Sequence, residues 1–131
     1  MVAAVVNVED ITRYDLKSLE GGFVTIRKMT YGQKLKRQEI AFDMTMESGG
    51  SRKKQGRDMS ISQMQSAVSE YEFSICIADH NLEDSRGRKL SFTNPYDVRA
   101  LLPEVGSEIE KAIEAENNFD EESLKDSSEQ V

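Results

Sequence analysis

The sequence predicts an α+β fold, mainly α: an N-terminal β-hairpin, then three to four helices, then a disordered acidic C-terminal tail. Three observations carry this. Two alternating apolar–polar runs flank a pair of glycines near the N-terminus, and apolar residues then recur at helical spacing in several later stretches. Acidity is also concentrated at one end. Residues 104–131 carry ten acids and two lysines, a local net of −8, whereas residues 1–103 carry fourteen acids and fifteen basic residues, a net of +1.

The hairpin is read from "YDLKSL" (14–19) and "FVTIRKM" (23–29), joined through Gly21-Gly22. Glycine tolerates the positive φ that tight turns need. Val24 and Ile26 fall on one face of the second run and are expected in the core.

"TYGQKLKRQEIAFDMTM" (30–46) reads as the first helix. Thr30 and Gln33 have capping-box spacing, in which each side chain satisfies a free backbone N–H of the other. Tyr31, Leu35, Phe42 and Met46 form an apolar stripe, widened by Ile40 and Ala41, and Leu35 is expected in the core. "ESGGSRKKQGRD" (47–58) has three glycines, four basic residues and no apolar side chain, and reads as a mobile basic loop.

"MSISQMQSAVSEYEFSICIAD" (59–79) reads as the most apolar helix. Met64, Val68, Tyr71 and Ile75 lie on one face and are expected in the core. Beyond a loop, "NPYDVRALLPEVGSEIEKAIEAENNF" offers one short helical turn and one longer helix. Pro103 suits the start of the longer one, because proline's missing N–H is not needed there. Val105, Ile109 and Ile113 form its face. They either close the core or contact a partner or a second copy.

At 131 residues, residues 1–117 are expected to form a single small globular domain, with 118–131 a disordered acidic tail. The apolar fraction of 37% is low, so one stripe is expected to complete itself only against another chain. "MVAAVVNVED" has no basic segment before its short apolar run and does not read as a signal peptide. No run approaches the roughly 20 apolar residues of a membrane span. A single cysteine, Cys76, fits a reducing compartment. The absence of a basic excess argues against nucleic acid.

Candidate chemistry is sparse. "DHNLEDSRGRKLSFTNP" (79–95) begins with alternating oxygen donors, Asp79, Asn81 and Glu83, like a calcium loop. Counting from Asp79, however, the glycine position holds Asp84 and the closing carboxylate position holds Leu90. The stretch therefore reads as a connector between two helices. Cys76 and His80 stand four apart, a spacing at which one helix face presents both, but no further Cys or His completes a metal site or a catalytic set. Carboxylate pairs such as Asp43 with Glu47, and Glu110 with Glu114, read as solvated helix faces. No cofactor, metal or catalytic residue is expected.

Two segments, "VTIRKMTYGQKLKRQEI" (24–40) and "YEFSICIADHNLEDSRGRKLSFTNPYDVRALLPEVGSEIEKAIEAEN" (71–117), share the rhythm of a known family. They resemble the tail assembly chaperones of long-tailed, siphophage-type bacteriophages and prophages. In that family a strand runs into an "(L/M)T(Y/W)G(E/Q)" helix start, here Met29 to Gln33. An aspartate- and asparagine-rich turn follows the middle helix, here Asp79 to Leu82. A "GR-L-F" segment and a "-VG-EIE-I-" helix come next, here Gly87 to Phe92 and Val105 to Ile113. The resemblance covers about two-thirds of the chain and rests on structural motifs.

The resemblance implies a non-virion protein acting in viral morphogenesis, in the cytoplasm of the infected bacterial host. Its partners would be the tape measure protein and the major tail tube protein, with no nucleic acid and no membrane; homo-oligomers are compatible with it. The alternative is a structural tail or head-tail junction protein. Expected contact residues are Val105, Ile109 and Ile113, with Met44 and Met46 as flexible side chains suited to imprecise partners.

Overall fold

A computed structural model describes residues 1–49 and 54–118, with the side chains of 44–49 and 54–64 left undescribed. The elements run β1 (Ile11–Asp15), β2 (Phe23–Arg27), α1 (Tyr31–Gly49), α2 (Lys54–Cys76), β3 (Ile77–His80), α3 (Pro95–Arg99) and α4 (Pro103–Asn117). The fold is α+β with helix predominating, as the sequence predicts.

β1 and β2 pair antiparallel, with Tyr14 opposite Val24. Leu16 N–H donates to Gly22 O (2.8 Å), Gly22 N–H donates to Leu19 O (3.0 Å), and Gly21 takes φ +84°. The turn thus uses the glycine pair as expected. Val24 and Ile26 point together into the core and are buried.

A third strand was not anticipated. The apolar run ending in Asp79 has a helical pattern, but α2 stops at Cys76 and residues 77–80 pair antiparallel with β2. Val24 faces His80 and Ile26 faces Ile77, with a register irregularity between Thr25 and Ile26. The free edge of β2 offers backbone hydrogen bonds to this segment, and a short apolar run cannot by periodicity distinguish that use from helix. Cys76 and His80 therefore do not share a helix face. The stretch 79–95 leads from β3 to α3 and does not link two long helices.

The capping box forms as predicted: Thr30 N–H donates to Gln33 Oε1 (2.9 Å), and Gln33 N–H donates to Thr30 Oγ1 (3.1 Å). Beyond it, α1 and α2 pack on each other as a helical hairpin. The expected loop 47–58 is corrected at both ends. Residues 47–49 are helical, as are 54–58, and only 50–53 lie outside the described residues. Lys54, Gln55 and Arg57 are adequate helix formers, so the absence of an apolar stripe does not prevent a helix there. The expected tail lies outside the described residues from 119 onward; Asn118 caps α4 at φ +57°.

α4 starts at Pro103 and α3 at Pro95, where Asn94 Oδ1 accepts from Tyr96 N–H (3.0 Å). The core gathers Leu16, Val24, Ile26, Met29, Phe73, Cys76, Leu82, Leu90, Phe92, Val105, Ile109 and Ile113. Phe73 and Phe92 meet edge to face at 5.8 Å. Asn117, also buried, joins two ends of the chain: its Oδ1 accepts from Met29 N–H (2.8 Å) and its Nδ2 donates to Ile113 O (2.9 Å). Glu108 clamps the β1–β2 turn onto α4 by accepting from the backbone N–H groups of Lys17 (2.7 Å) and Ser18 (2.9 Å).

Candidate functional site

Of the two uses open to the apolar face of α4, the structure shows closure of the core. Val105, Ile109 and Ile113 are buried, spaced one turn apart along the side of α4 that closes the core. Met44 and Met46, the other expected contacts, lie on α1, but their side chains fall outside the described residues, as does that of Met64. Val68, Tyr71 and Ile75 are half-buried, with Ile75 packed against the core. Met29, one of the flexible methionines, is a core residue.

Leu35, expected in the core, is exposed. It belongs to a surface stripe with Tyr31 and Phe42, at 77% (Tyr31), 45% (Leu35) and 62% (Phe42) exposure. Among the described side chains of α1, those partly covered are Gln33, Lys34, Arg37, Ile40 and Ala41, on the other side of the helix. Over residues 31–43 the helix therefore turns a largely polar side to α2 and its greasy side to water. Periodicity identifies an apolar face but not the direction it faces. Isolated exposed apolar residues are ordinary, whereas a continuous stripe of large ones on one helix marks an interaction face.

A second apolar surface lies at the opposite end of the chain's order. A cleft of about 430 Å³ opens between the 82–90 loop and the α3–α4 junction. Leu19, Leu82, Leu90, Leu101, Leu102 and Val105 line it, and Leu102 stands more than half exposed at its mouth. Glu83, Asp84 and Ser85 form its polar rim. The loop that shapes it is tightly held. Asp84 accepts from Arg86 N–H (2.8 Å) and Arg88 N–H (3.0 Å), Leu90 N–H donates to Leu82 O (3.0 Å), and Gly87 takes φ +84°. Arg88 also forks onto buried Asp97 at 2.8 and 3.2 Å.

The oxygen donors that suggested a calcium loop diverge. Asp79 pairs with Lys89 Nζ at 3.1 Å. Asn81 instead bridges the hairpin, accepting from Phe23 N–H (2.9 Å) and donating to Gly21 O (2.8 Å). Among the described residues, no group of three or more His, Cys, Asp or Glu is placed to hold a metal ion.

The titratable groups that do gather lie around buried Glu72 and Cys76. Burial pushes the Cys76 thiol up to about 12, and Asn117 Nδ2 lies against its sulfur at 4.0 Å. A thiol held protonated at neutral pH is a poor nucleophile. His80 is buried with its Nδ1 accepting from Leu82 N–H (3.0 Å), and burial lowers its affinity for a second proton. Glu72 was missed by sequence reading. It is fully buried, with Oε1 3.6 Å from Arg37 Nε and Oε2 without a hydrogen bond among the described residues. Desolvation pushes its carboxyl up to about 7; Arg37 opposes that shift, while Glu110 and Glu114 add to it. Those two glutamates, expected on a fully solvated face, are half-buried beside it. The only signal for Glu72 was its place between Tyr71 and Phe73 in an otherwise apolar stretch.

Two apolar surfaces are therefore open to solvent among the described residues, the α1 stripe and the leucine-lined cleft. Among the described residues, no helix is long and apolar enough to cross a membrane. Comparison with protein-family models, curated proteins and solved structures finds no match for this chain.

Proposed function

We propose that this protein is a tail assembly chaperone of a long-tailed bacteriophage or prophage. In this reading it binds the tape measure protein and the tail tube protein in the cytoplasm of the infected bacterium and is absent from the finished virion. The observation that carries the reading is the leucine-lined cleft beside α4. A chaperone of long amphipathic helices needs an open apolar groove and no chemistry. The cleft takes leucine or aromatic side chains from one face of a client helix, while Glu83 at the rim meets basic residues on its flank. The motifs that carry the family resemblance also have a structural role here. The Thr30–Gln33 capping box starts α1, and the 82–90 loop forms one wall of the cleft.

Co-expression with the tape measure protein of the same genome tests this. The wild-type chain should keep that protein soluble and co-purify with it. Leu102→Asp, at an exposed position, should abolish co-purification while leaving the circular dichroism spectrum unchanged. Retention of the chain in purified virions would favour the structural tail or head-tail junction alternative.

A further inference from the structure

The junction of α2 with α4 holds a carboxyl that neither apolar surface uses. We propose that Glu72 is a proton-controlled latch: its neutral form keeps the last turn of α4, residues 114–117, closed over Cys76, and its ionisation lifts that turn off α2. Glu72 is fully buried on α2. Its Oε1 stands 3.6 Å from Arg37 Nε, too long for a strong charge-assisted bond, and its Oε2 has no hydrogen bond among the described residues. A neutral carboxyl tolerates such a place far better than a carboxylate does.

The surrounding charges decide which side gives way. From α1, Arg37 attracts the carboxylate, with Lys34 one turn before it on the same side of that helix. From α4, Glu110 and Glu114 repel it. On α2 itself the Cys76 thiol follows one turn later, and Arg27 of β2 acts on that thiol. Elsewhere around α2 the ionisable groups are committed to other partners: Arg99 of α3 to Glu70 (2.7 Å), Asp79 of β3 to Lys89 (3.1 Å), and His80 to Leu82 N–H (3.0 Å). An ionised Glu72 is therefore drawn towards α1 and pushed from α4.

The end of α4 is the part able to respond. Helix ends open first, because their last carbonyls lack intrahelical partners. Glu110 and Glu114 stand on the last two turns, and Asn117 closes those turns over Cys76. Its Nδ2 lies 4.0 Å from the sulfur, and its Oδ1 accepts from Met29 N–H (2.8 Å). Thr12 Oγ1 donating to Glu116 Oε1 (3.0 Å) is a second tie, at an exposed position. Repulsion from Glu72 therefore loads the same short segment that covers the thiol. Once the turn lifts, water reaches Glu72 and its carboxyl returns towards the ordinary range. The lifted state then gains as pH rises from 4.5 and levels off above about 7. The latch stands whether or not the leucine cleft takes a phage protein.

Cys76, the one cysteine of the sequence, reports the opening. Its alkylation rate in the full chain is measured at pH 5 and pH 8, each divided by the rate of the urea-unfolded chain at the same pH, which removes the thiol's own titration. The quotient should rise on the order of fiftyfold from pH 5 to pH 8, as carboxyl values of 4.5 when hydrated and about 7 when enclosed imply. Glu72→Gln should abolish that rise, and Glu110→Gln should make it smaller. Urea below the unfolding transition should change the labelling little, because lifting one turn exposes little surface. A quotient equal at the two pH values, a rise that survives in Glu72→Gln, or an undiminished rise in Glu110→Gln would overturn the proposal. So would a urea dependence as steep as that of global unfolding, which means that the thiol is reached only through the unfolded chain.

Discussion

Glu72 places an ionisable carboxyl where water does not reach, and replacing it should reveal what that costs. The residue is fully buried on α2. It faces Arg37 from α1, Glu110 and Glu114 from α4, and the Cys76 thiol one turn along its own helix, with the Arg27 guanidinium of β2 close enough to act on that same thiol. Desolvation is the largest influence and raises the carboxyl from 4.5 to about 7. At about 1.4 kcal/mol per pH unit, that corresponds to about 3 kcal/mol. The sign follows from proton linkage. Because the folded state holds its proton longer than the unfolded chain does, Glu72's contribution is intact below pH 4.5 and disappears as pH rises through about 7.

Glu72→Gln keeps the shape and removes the titration. Urea denaturation at pH 5 and pH 8 should give similar stabilities for the two proteins at pH 5. At pH 8 the Gln variant should be more stable by about 2–3 kcal/mol. Other titrating groups, His80 among them, are common to both proteins and cancel in the comparison. Arg37, whose side chain is 28% exposed, keeps access to water when its partner becomes neutral. A Gln variant less stable than wild type at pH 8 would refute the reasoning. It would mean that the Arg37–Glu72 attraction outweighs the desolvation of both groups.

Two further outcomes follow from the packing around α4. Ile109→Ala should cost about 2–5 kcal/mol in chemical denaturation, since the side chain is fully buried and its removal leaves a cavity; Ile109→Asp should abolish secondary structure by circular dichroism, which an interface-only role would not. Glu108 is held down to about 2, chiefly by the Ser18 hydroxyl and also by the Lys17 and Ser18 backbone amides, so its contribution is present above pH 4.5 and is lost as pH falls towards 2. Because the side chain is only half-buried, Glu108→Gln should cost about 1–2 kcal/mol at pH 7 and nearly nothing at pH 2, read from urea midpoints at the two pH values.

What the sequence determined by itself was local. The glycine pair at 21–22, the Thr30–Gln33 box, and the prolines opening α3 and α4 act over a few residues, and each does in the fold what its chemistry dictates. The tertiary structure decided where the faces point and which segments pair. β2 draws Ile77–His80 out of a helical run more than fifty residues away, because an open strand edge must find partners for its backbone groups. α1 keeps its apolar stripe in water and α4 buries one of similar periodicity, although nothing in the spacing tells the two apart. Glu72 is enclosed where α1 and α4 each pack on α2, with Arg37 facing it from one and Glu110 and Glu114 from the other. Direction, enclosure and pairing depend on how distant segments compete for the same surface, and a periodicity read along one helix carries no record of that competition.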